Sequence, residues 1–153
     1  MKINTIFFLV FILLSSCKDK EVSDKNLNTD KLSIEGTWEL ISRYNYIDNK
    51  VVDSFGLGEG YRQVKMYTPT KVMWSRMRPA DSSEWFGYGS YEINENGDKL
   101  TEILDYGSVM MNKIIEEEKE FTFELILKKD AFIQIELDDE GNRVLSENYI
   151  RIE

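Results

Sequence analysis

The feature that most constrains the fold is an alternation of apolar and polar side chains in short runs that turn residues separate. From residue 34 onward the chain consists of such runs, rich in aromatic and β-branched residues. In the first run Trp38, Leu40 and Tyr44 share one face, and in a later run Phe121 and Phe123 do so. Because side chains alternate between the two faces of a strand, this pattern gives each strand one buried face and one solvent-exposed face. The pattern predicts an antiparallel sheet.

Eight strands are predicted. They are Thr37–Ile47, Gly60–Tyr67, Lys71–Arg78, Phe86–Ile93, Lys99–Tyr106, Glu120–Lys128, Ala131–Leu137 and Val144–Ile152. Eight strands joined mainly by short hairpins can close into an up-and-down barrel, which leaves no exposed sheet edge. We therefore expect one all-β domain over residues 34–153, an eight-stranded antiparallel barrel. Its interior has room for its own side chains or for one small ligand.

One segment departs from the strand pattern. Within Ser108–Glu118, Val109, Met110 and Ile114 fall near helical spacing, and three glutamates follow. The segment is predicted to be either one short helix or an irregular crossover between the fifth and sixth strands.

The amino end carries a secretory signal. Lys2 gives a positive start, Ile6–Leu14 is an unbroken apolar run, and Ser15-Ser16 precede a cysteine. The run is too short for a membrane-spanning helix, which needs about 20 residues. We expect residues 1–16 to be removed as a signal peptide. The order of residues resembles a bacterial lipobox, which implies that the thiol of Cys17 is acylated with palmitate-like chains and anchors the protein to a membrane.

A polar tether, residues 17–33, is expected between the lipid and the barrel. Lys rather than Asp follows Cys17, which under the lipoprotein sorting rule permits transport to the outer membrane. The cluster Lys18-Asp19-Lys20-Glu21 also resembles the surface-export signal of Bacteroidetes lipoproteins, although a plain solvated linker explains it equally well. The expected location is the cell envelope, as an outer-membrane lipoprotein on its periplasmic or surface face.

Charge and composition exclude several functions. The net charge of −9 disfavours a nucleic-acid partner, because like charges repel. The chain has no histidine and only one cysteine, Cys17, which excludes Ser-His-Asp and Cys-His hydrolases and a disulfide framework. No metal or other cofactor is predicted.

A resemblance to lipocalins begins with Gly36-Thr37-Trp38, which matches their Gly-x-Trp motif at the start of the first strand. The stretches Lys65–Trp74 and Gly87–Tyr91 resemble consecutive hairpins of the lipocalin-like lipoproteins of Bacteroidetes, a calycin-type barrel family. The resemblance covers most of Ile34–Ile152. Secreted lipocalins usually add disulfides and a carboxyl-terminal helix, and neither is predicted here.

The resemblance also implies structural roles for three residues. In lipocalins the motif tryptophan closes one end of the barrel, and an arginine from near the last strand packs over it. Gly36 and Trp38 occupy the motif, and Arg151 is the candidate arginine. A guanidinium over an indole is a cation–π contact worth about 0.5–2 kcal/mol.

Five residues are candidate ligand contacts. Trp74 and Arg76 share one face of the third predicted strand, and Glu102 and Tyr106 share an otherwise apolar face of the fifth. A buried arginine needs a carboxylate, so Glu102 is the expected partner of Arg76. Lys65 lies on the second predicted strand, whose inward face is ambiguous, and it has the same two interpretations as Arg76. These polar groups either fix a ligand or form an internal ion pair, unless Arg76 lies in solvent at the rim.

The leading hypothesis is a lipid-anchored, monomeric, non-catalytic barrel that binds a small hydrophobic or amphipathic molecule. The second is an envelope scaffold with a solid barrel, which meets another protein through exposed aromatic residues around Trp85 and Phe86. The third, a calycin-type enzyme, is disfavoured by the missing histidine and by a domain without cysteine.

The lipidation prediction can be tested with the full chain in a bacterial host fed radiolabelled palmitate. Cys17→Ala is expected to abolish labelling, because the acyl acceptor is lost. The control Ser16→Gly keeps a small residue before the cysteine and is expected to stay labelled. Label retained by Cys17→Ala would contradict the prediction.

Overall fold

The computed structural model describes residues 32–55, 57–58, 60–79 and 83–153. The predicted signal peptide, Cys17 and most of the tether lie outside the described residues. The described part holds nine strands and one helix. They are β1 (Gly36–Ile47), β2 (Lys50–Phe55), β3 (Arg62–Tyr67), β4 (Lys71–Arg78), β5 (Ser83–Ile93), β6 (Lys99–Gly107), α1 (Val109–Glu117), β7 (Glu120–Leu127), β8 (Ala131–Leu137) and β9 (Arg143–Arg151).

Eight of the strands form a closed antiparallel barrel, as the alternation predicts. From β3 to β9 each strand pairs with the next along the chain, and β1 pairs with both β3 and β9. On one edge of β1 the residues Gly36–Glu39 pair with β3, whereas Arg43–Ile47 pair with β2. Strand β2 therefore extends the sheet at β1 and is not one of the eight strands that close the barrel.

Strand β2 is not among the predicted strands, and it lies between the first two of them, Thr37–Ile47 and Gly60–Tyr67. A two-residue turn joins β2 to β1, and Asp48 and Asn49 adopt φ values of 51° and 60° there. Such a turn suits the twist of a hairpin, and Asn and Asp tolerate positive φ. Val51 and Val52 are each 54% exposed, and the side chains of residues 50–54 show no buried face for an alternation pattern to detect.

The segment after β6 is a helix, which decides between the two predicted alternatives. The hydroxyl of Ser108 accepts a hydrogen bond from the backbone N–H of Met111 at 3.4 Å and caps the helix amino terminus. Met111 and Ile115 form the buried side of α1, which packs beside β5 and β6.

Aromatic side chains fill the end of the barrel where β1 begins. The ring of Trp38 lies edge-on to Phe132 with centroids 5.0 Å apart, and Phe132 stacks on Tyr149 at 4.5 Å. All three side chains are buried. Aromatic pairs in these geometries add to the energy of area burial, so this end is packed solid.

Arg151 covers this packed end, where the resemblance to lipocalins led us to expect it. Its guanidinium carbon lies 4.0 Å from the centroid of the Trp38 ring, and its nitrogens donate to the carbonyls of Ser33, Glu35 and Lys129. Trp38 itself donates from Nε1 to the carbonyl of Ile34 at 2.7 Å.

Gly36 is required at this end for steric reasons. Its φ is 132°, and a Cβ built there would collide with Nη1 of Arg151 and approach the carbonyl oxygen of Glu153 to 2.6 Å. A side chain would therefore displace the arginine from the tryptophan. The glycine two positions before Trp38 is thus explained by the close approach of Arg151 to the backbone there.

A β-bulge corrects the predicted inward face of β1. The register between β1 and β9 shifts between Leu40 and Ser42, so the strand turns over after Leu40. Arg43 consequently points into the barrel, and Tyr44 lies on the opposite face from the one that alternation predicts. The bulge supplies an interior cation that the sequence pattern does not show.

Replacing Trp38 by alanine tests the packing of the sealed end. Trp38→Ala is expected to lower the free energy of unfolding by about 3–5 kcal/mol, because it leaves a cavity in the core. Urea unfolding followed by circular dichroism measures this change. Met73→Ala serves as the control, because Met73 is 39% exposed, and its effect should stay near 0.5 kcal/mol. An unchanged midpoint for Trp38→Ala would place the residue outside the core.

Candidate functional site

The interior of the barrel contains a cavity of about 570 Å³ at the end away from Trp38. Ligand pockets commonly fall between about 300 and 1,000 Å³. Its apolar walls come from strands and from α1, namely Trp74, Trp85, Leu104, Met111, Ile114, Phe121, Phe123, Leu137 and Leu145. Its interior polar groups are Gln63, Lys65, Arg76, Glu102, Gln134 and Glu147. Four predicted ligand contacts, Lys65, Trp74, Arg76 and Glu102, therefore meet at one cavity.

A second depression, of about 830 Å³, lies at the Trp38 end beside residues 32–35. It is larger, but the carboxylates that line it, Glu35 and Glu95, are both exposed. None of the buried charged side chains of the described residues lines it. The barrel cavity combines apolar walls with buried polar groups and is the better candidate site.

Lys65 and Glu102 form a buried ion pair at the base of the cavity. Nζ of Lys65 lies 2.7 Å from Oε1 of Glu102, and each side chain is 3% exposed. The same ammonium donates to Oε1 of Gln134 at 2.8 Å, and the hydroxyl of Tyr67 donates to Glu102 at 2.5 Å. These hydrogen bonds compensate for removing the two charges from water.

The ionisation of Tyr67 fits this arrangement. Burial, reinforced by the negative charge of Glu102, raises the pKa of Tyr67 well above its ordinary value. The phenol therefore remains a protonated donor to Glu102.

The expected ion pair between Arg76 and Glu102 is wrong, because Glu102 pairs with Lys65 instead.

Glu147 organises a second polar cluster. Nη2 of Arg43 lies 2.7 Å from Oε1 of Glu147, and the Tyr149 hydroxyl donates to Oε2 at 2.6 Å. The side-chain amides of Gln63 and Gln134 each donate to Oε2 at 3.2 Å. The carboxylate of Glu147 thus accepts hydrogen bonds from four side chains.

The environment of Glu147 keeps it ionised. Burial acts to raise the pKa of Glu147, but the positive charges of Lys65 and Arg43 and the hydrogen bond from Tyr149 outweigh it. The net effect lowers its pKa below the ordinary value. Glu147 is therefore negatively charged at neutral pH and neutralises Arg43.

Sequence reasoning missed the residues of this second cluster. Gln134 and Glu147 each stand two positions from a buried aromatic residue of their own strand, Phe132 and Tyr149 respectively, and so share its face. Gln63 stands four positions from the buried Tyr67 and shares the face of that residue. That signal was present in the alternation. Arg43 carried no such signal, because the bulge in β1 changes its face.

Arg76 has a different environment from the other interior cations. Its guanidinium carbon lies 4.9 Å from the centroid of the Trp85 ring, and its Nε is buried without a hydrogen-bond partner. Among the described residues it forms no ion pair with a carboxylate. Tyr61 lies close by: burial raises the pKa of Tyr61, and the charges of Arg43 and Arg76 oppose that rise.

Trp74 lies on the cavity wall because its neighbour in β5 is a glycine. Trp74 pairs with Gly87, and a Cβ built at Gly87 would lie 2.9 Å from the indole. The missing side chain lets the ring lie flat across the strand. Gly87 thereby shapes the wall of the cavity.

Tyr106 does not line the cavity, which corrects its predicted role. The register between β5 and β6 shifts between Tyr88 and Gly89, so that Tyr88 pairs with Tyr106 and Gly89 pairs with Leu104. The extra residue in β6 is Asp105, and it turns Tyr106 to the outer surface, where it is 53% exposed. Its ring lies 5.2 Å from that of Tyr88.

No protein-family model matches this sequence, and neither curated proteins nor solved structures give a significant match. Within the described ranges, no three or more His, Cys, Asp or Glu side chains are grouped to hold a metal ion. No helix among the residues described is long and apolar enough to cross a membrane. The function is therefore argued from the cavity and the sequence.

Proposed function

We propose that this protein is a lipid-anchored, lipocalin-like barrel of the cell envelope that binds one small hydrophobic or amphipathic molecule without catalysis. The observation that carries the proposal is the cavity of about 570 Å³ inside the closed barrel. Aromatic and aliphatic walls with a few fixed polar groups are typical of small-molecule sites. The packed Trp38 end supports a cup with one opening, beside α1.

The anchor is proposed from the sequence. An apolar run followed by small residues and Cys17 fits a cleaved and acylated amino terminus. The first barrel strand starts at Gly36, which leaves the polar residues 17–33 as the proposed tether to the outer membrane. Attachment would depend on the acyl chains, because an acidic protein gains nothing electrostatically from anionic lipid.

The absence of catalysis is proposed from the state of the interior carboxylates. General acids and bases work best with a pKa near the operating pH, and the environment of Glu147 lowers its pKa instead. Glu102 accepts bonds from both Lys65 and Tyr67. Both carboxylates are engaged in holding the interior together.

An alternative function is a protein-interaction module of the envelope. Its predicted marker, the region of Trp85, instead has Trp85 on the cavity wall. A different feature favours the alternative: Met66, Met73, Tyr88 and Tyr106 are register partners across four adjacent strands on the outer face. Exposed apolar patches of this kind mark contact surfaces.

Filling the cavity tests the ligand-binding proposal. N-phenyl-1-naphthylamine, a neutral probe that fluoresces in apolar surroundings, is expected to bind the purified protein. Leu145→Trp should weaken binding roughly tenfold, equivalent to about 1.4 kcal/mol, because Leu145 lines the cavity and the larger side chain occupies it.

Val144→Trp is the matched control. Val144 is the neighbouring residue of the same strand and is 41% exposed, so the added indole enters solvent and leaves affinity unchanged. No binding by the unaltered protein, or equal losses in the two variants, would contradict the proposal and favour the interaction module.

A further inference from the structure

We propose that the ligand of this cavity carries a single negative charge on an apolar body, and that Arg76 is the residue that pairs with that charge. The inference rests on the proposed ligand-binding function and adds the chemical class of the ligand. A carboxylate, a sulfonate and a phosphate diester each carry one negative charge at neutral pH and share the chemistry that Arg76 would recognise.

The interior cations outnumber the carboxylates that pair with them. Lys65 pairs with Glu102 at 2.7 Å, and Arg43 pairs with Glu147 at 2.7 Å. Each of these two pairs is neutral. Arg76 is a third cation beside these pairs and lines the cavity, and within the described structure no carboxylate pairs with it. A half-buried charge without a partner is unfavourable, so an anion entering the cavity is stabilised there.

The guanidinium of Arg76 is held in a fixed position. Arg76 packs over the Trp85 ring at 4.9 Å, which orients the guanidinium plane, and a hydrogen bond joins Arg76 to the side chain of Tyr61. Its Nε is buried and lacks a partner in the described structure, although a buried N–H normally has one. An oxyanion can accept paired hydrogen bonds from the donors of a guanidinium that remain free.

Acidic side chains at the cavity limit how many negative charges the ligand can carry. Glu118, Glu136 and Asp139 also line the cavity, and all three are exposed. Their negative charges disfavour the entry of polyanions such as nucleotides, while water screens them enough to admit one acidic group. Phe121 and Phe123 also line the cavity and suit an apolar body. The combination selects a monoanionic amphipathic molecule.

A pair of fluorescent probes that share one ring system tests the inference. The probe 1-anilinonaphthalene-8-sulfonate carries one negative charge, whereas N-phenyl-1-naphthylamine is neutral. Arg76→Gln is expected to weaken binding of the sulfonate about tenfold, about 1.4 kcal/mol, and to leave the neutral amine within about twofold. Arg76→Lys should retain part of the sulfonate affinity, because it keeps the charge but loses the paired donors.

The control is Arg62→Gln, which removes a positive charge from the outside of the barrel. Arg62 pairs with Glu39 at 2.7 Å and its side chain is 62% exposed. This variant should leave both affinities unchanged. A loss of sulfonate binding as large as that of Arg76→Gln would mean that overall charge, not Arg76, governs the preference.

The outcomes separate the two proposals. If neither probe binds the unaltered protein, the ligand-binding function fails. If both bind and Arg76→Gln changes neither affinity, or lowers both equally, the cavity binds ligands but the role of Arg76 is wrong.

A second readout keeps the test valid if Arg76→Gln does not fold. The Nε–H NMR resonance of Arg76, assigned with Arg76→Lys, should move downfield when the sulfonate is added, because a charge-assisted hydrogen bond forms, and should show no downfield movement with the neutral amine. The opposite behaviour, or no movement with either probe, would overturn the inference.

Discussion

The pairing of β1 with β9 on one edge and with β3 on the other closes the sheet, and the interior depends on that closure. An open sheet of these strands would leave Lys65 and Glu102 exposed to water, where an ion pair contributes little. Inside the ring both side chains are 3% exposed and are held by Gln134 and Tyr67. Closure thus removes these polar side chains from water and fixes their positions on the wall of the cavity.

The two ends of the barrel differ because of what β1 brings to each. At its start Gly36 and Trp38 admit Arg151 over the indole, and the aromatic core leaves no room. Further along, the bulge after Leu40 turns Arg43 inward to meet Glu147. Polar residues replace the apolar core there, and the cavity begins. One strand therefore supplies both the seal and the cation that pairs with Glu147 on the cavity wall.

Alternation predicted the barrel and the inward faces of most strands, because burial on one face imposes a period of two. It made Lys65, Trp74, Arg76 and Glu102 candidate ligand contacts but left open which face Lys65 occupies and whether Arg76 is buried; the structure brings all four to one cavity. It failed at Arg43 and Tyr106, where single inserted residues reverse the faces of β1 and β6. It also assigned the wrong cation to Glu102, since which inward side chains meet depends on register across the barrel and on side-chain length. The exposed strand β2 carried no buried face to detect.

The central claim is a cup sealed at the Trp38 end and open to ligand at the other, and the three tryptophans of the chain report on it directly. Trp74 and Trp85 line the cavity, whereas Trp38 is fully buried in the seal. Fluorine NMR of protein labelled with 5-fluorotryptophan, titrated with N-phenyl-1-naphthylamine, should move the resonances of Trp74 and Trp85 and leave that of Trp38 in place. Movement of the Trp38 resonance alone, or of none of the three, would contradict the account.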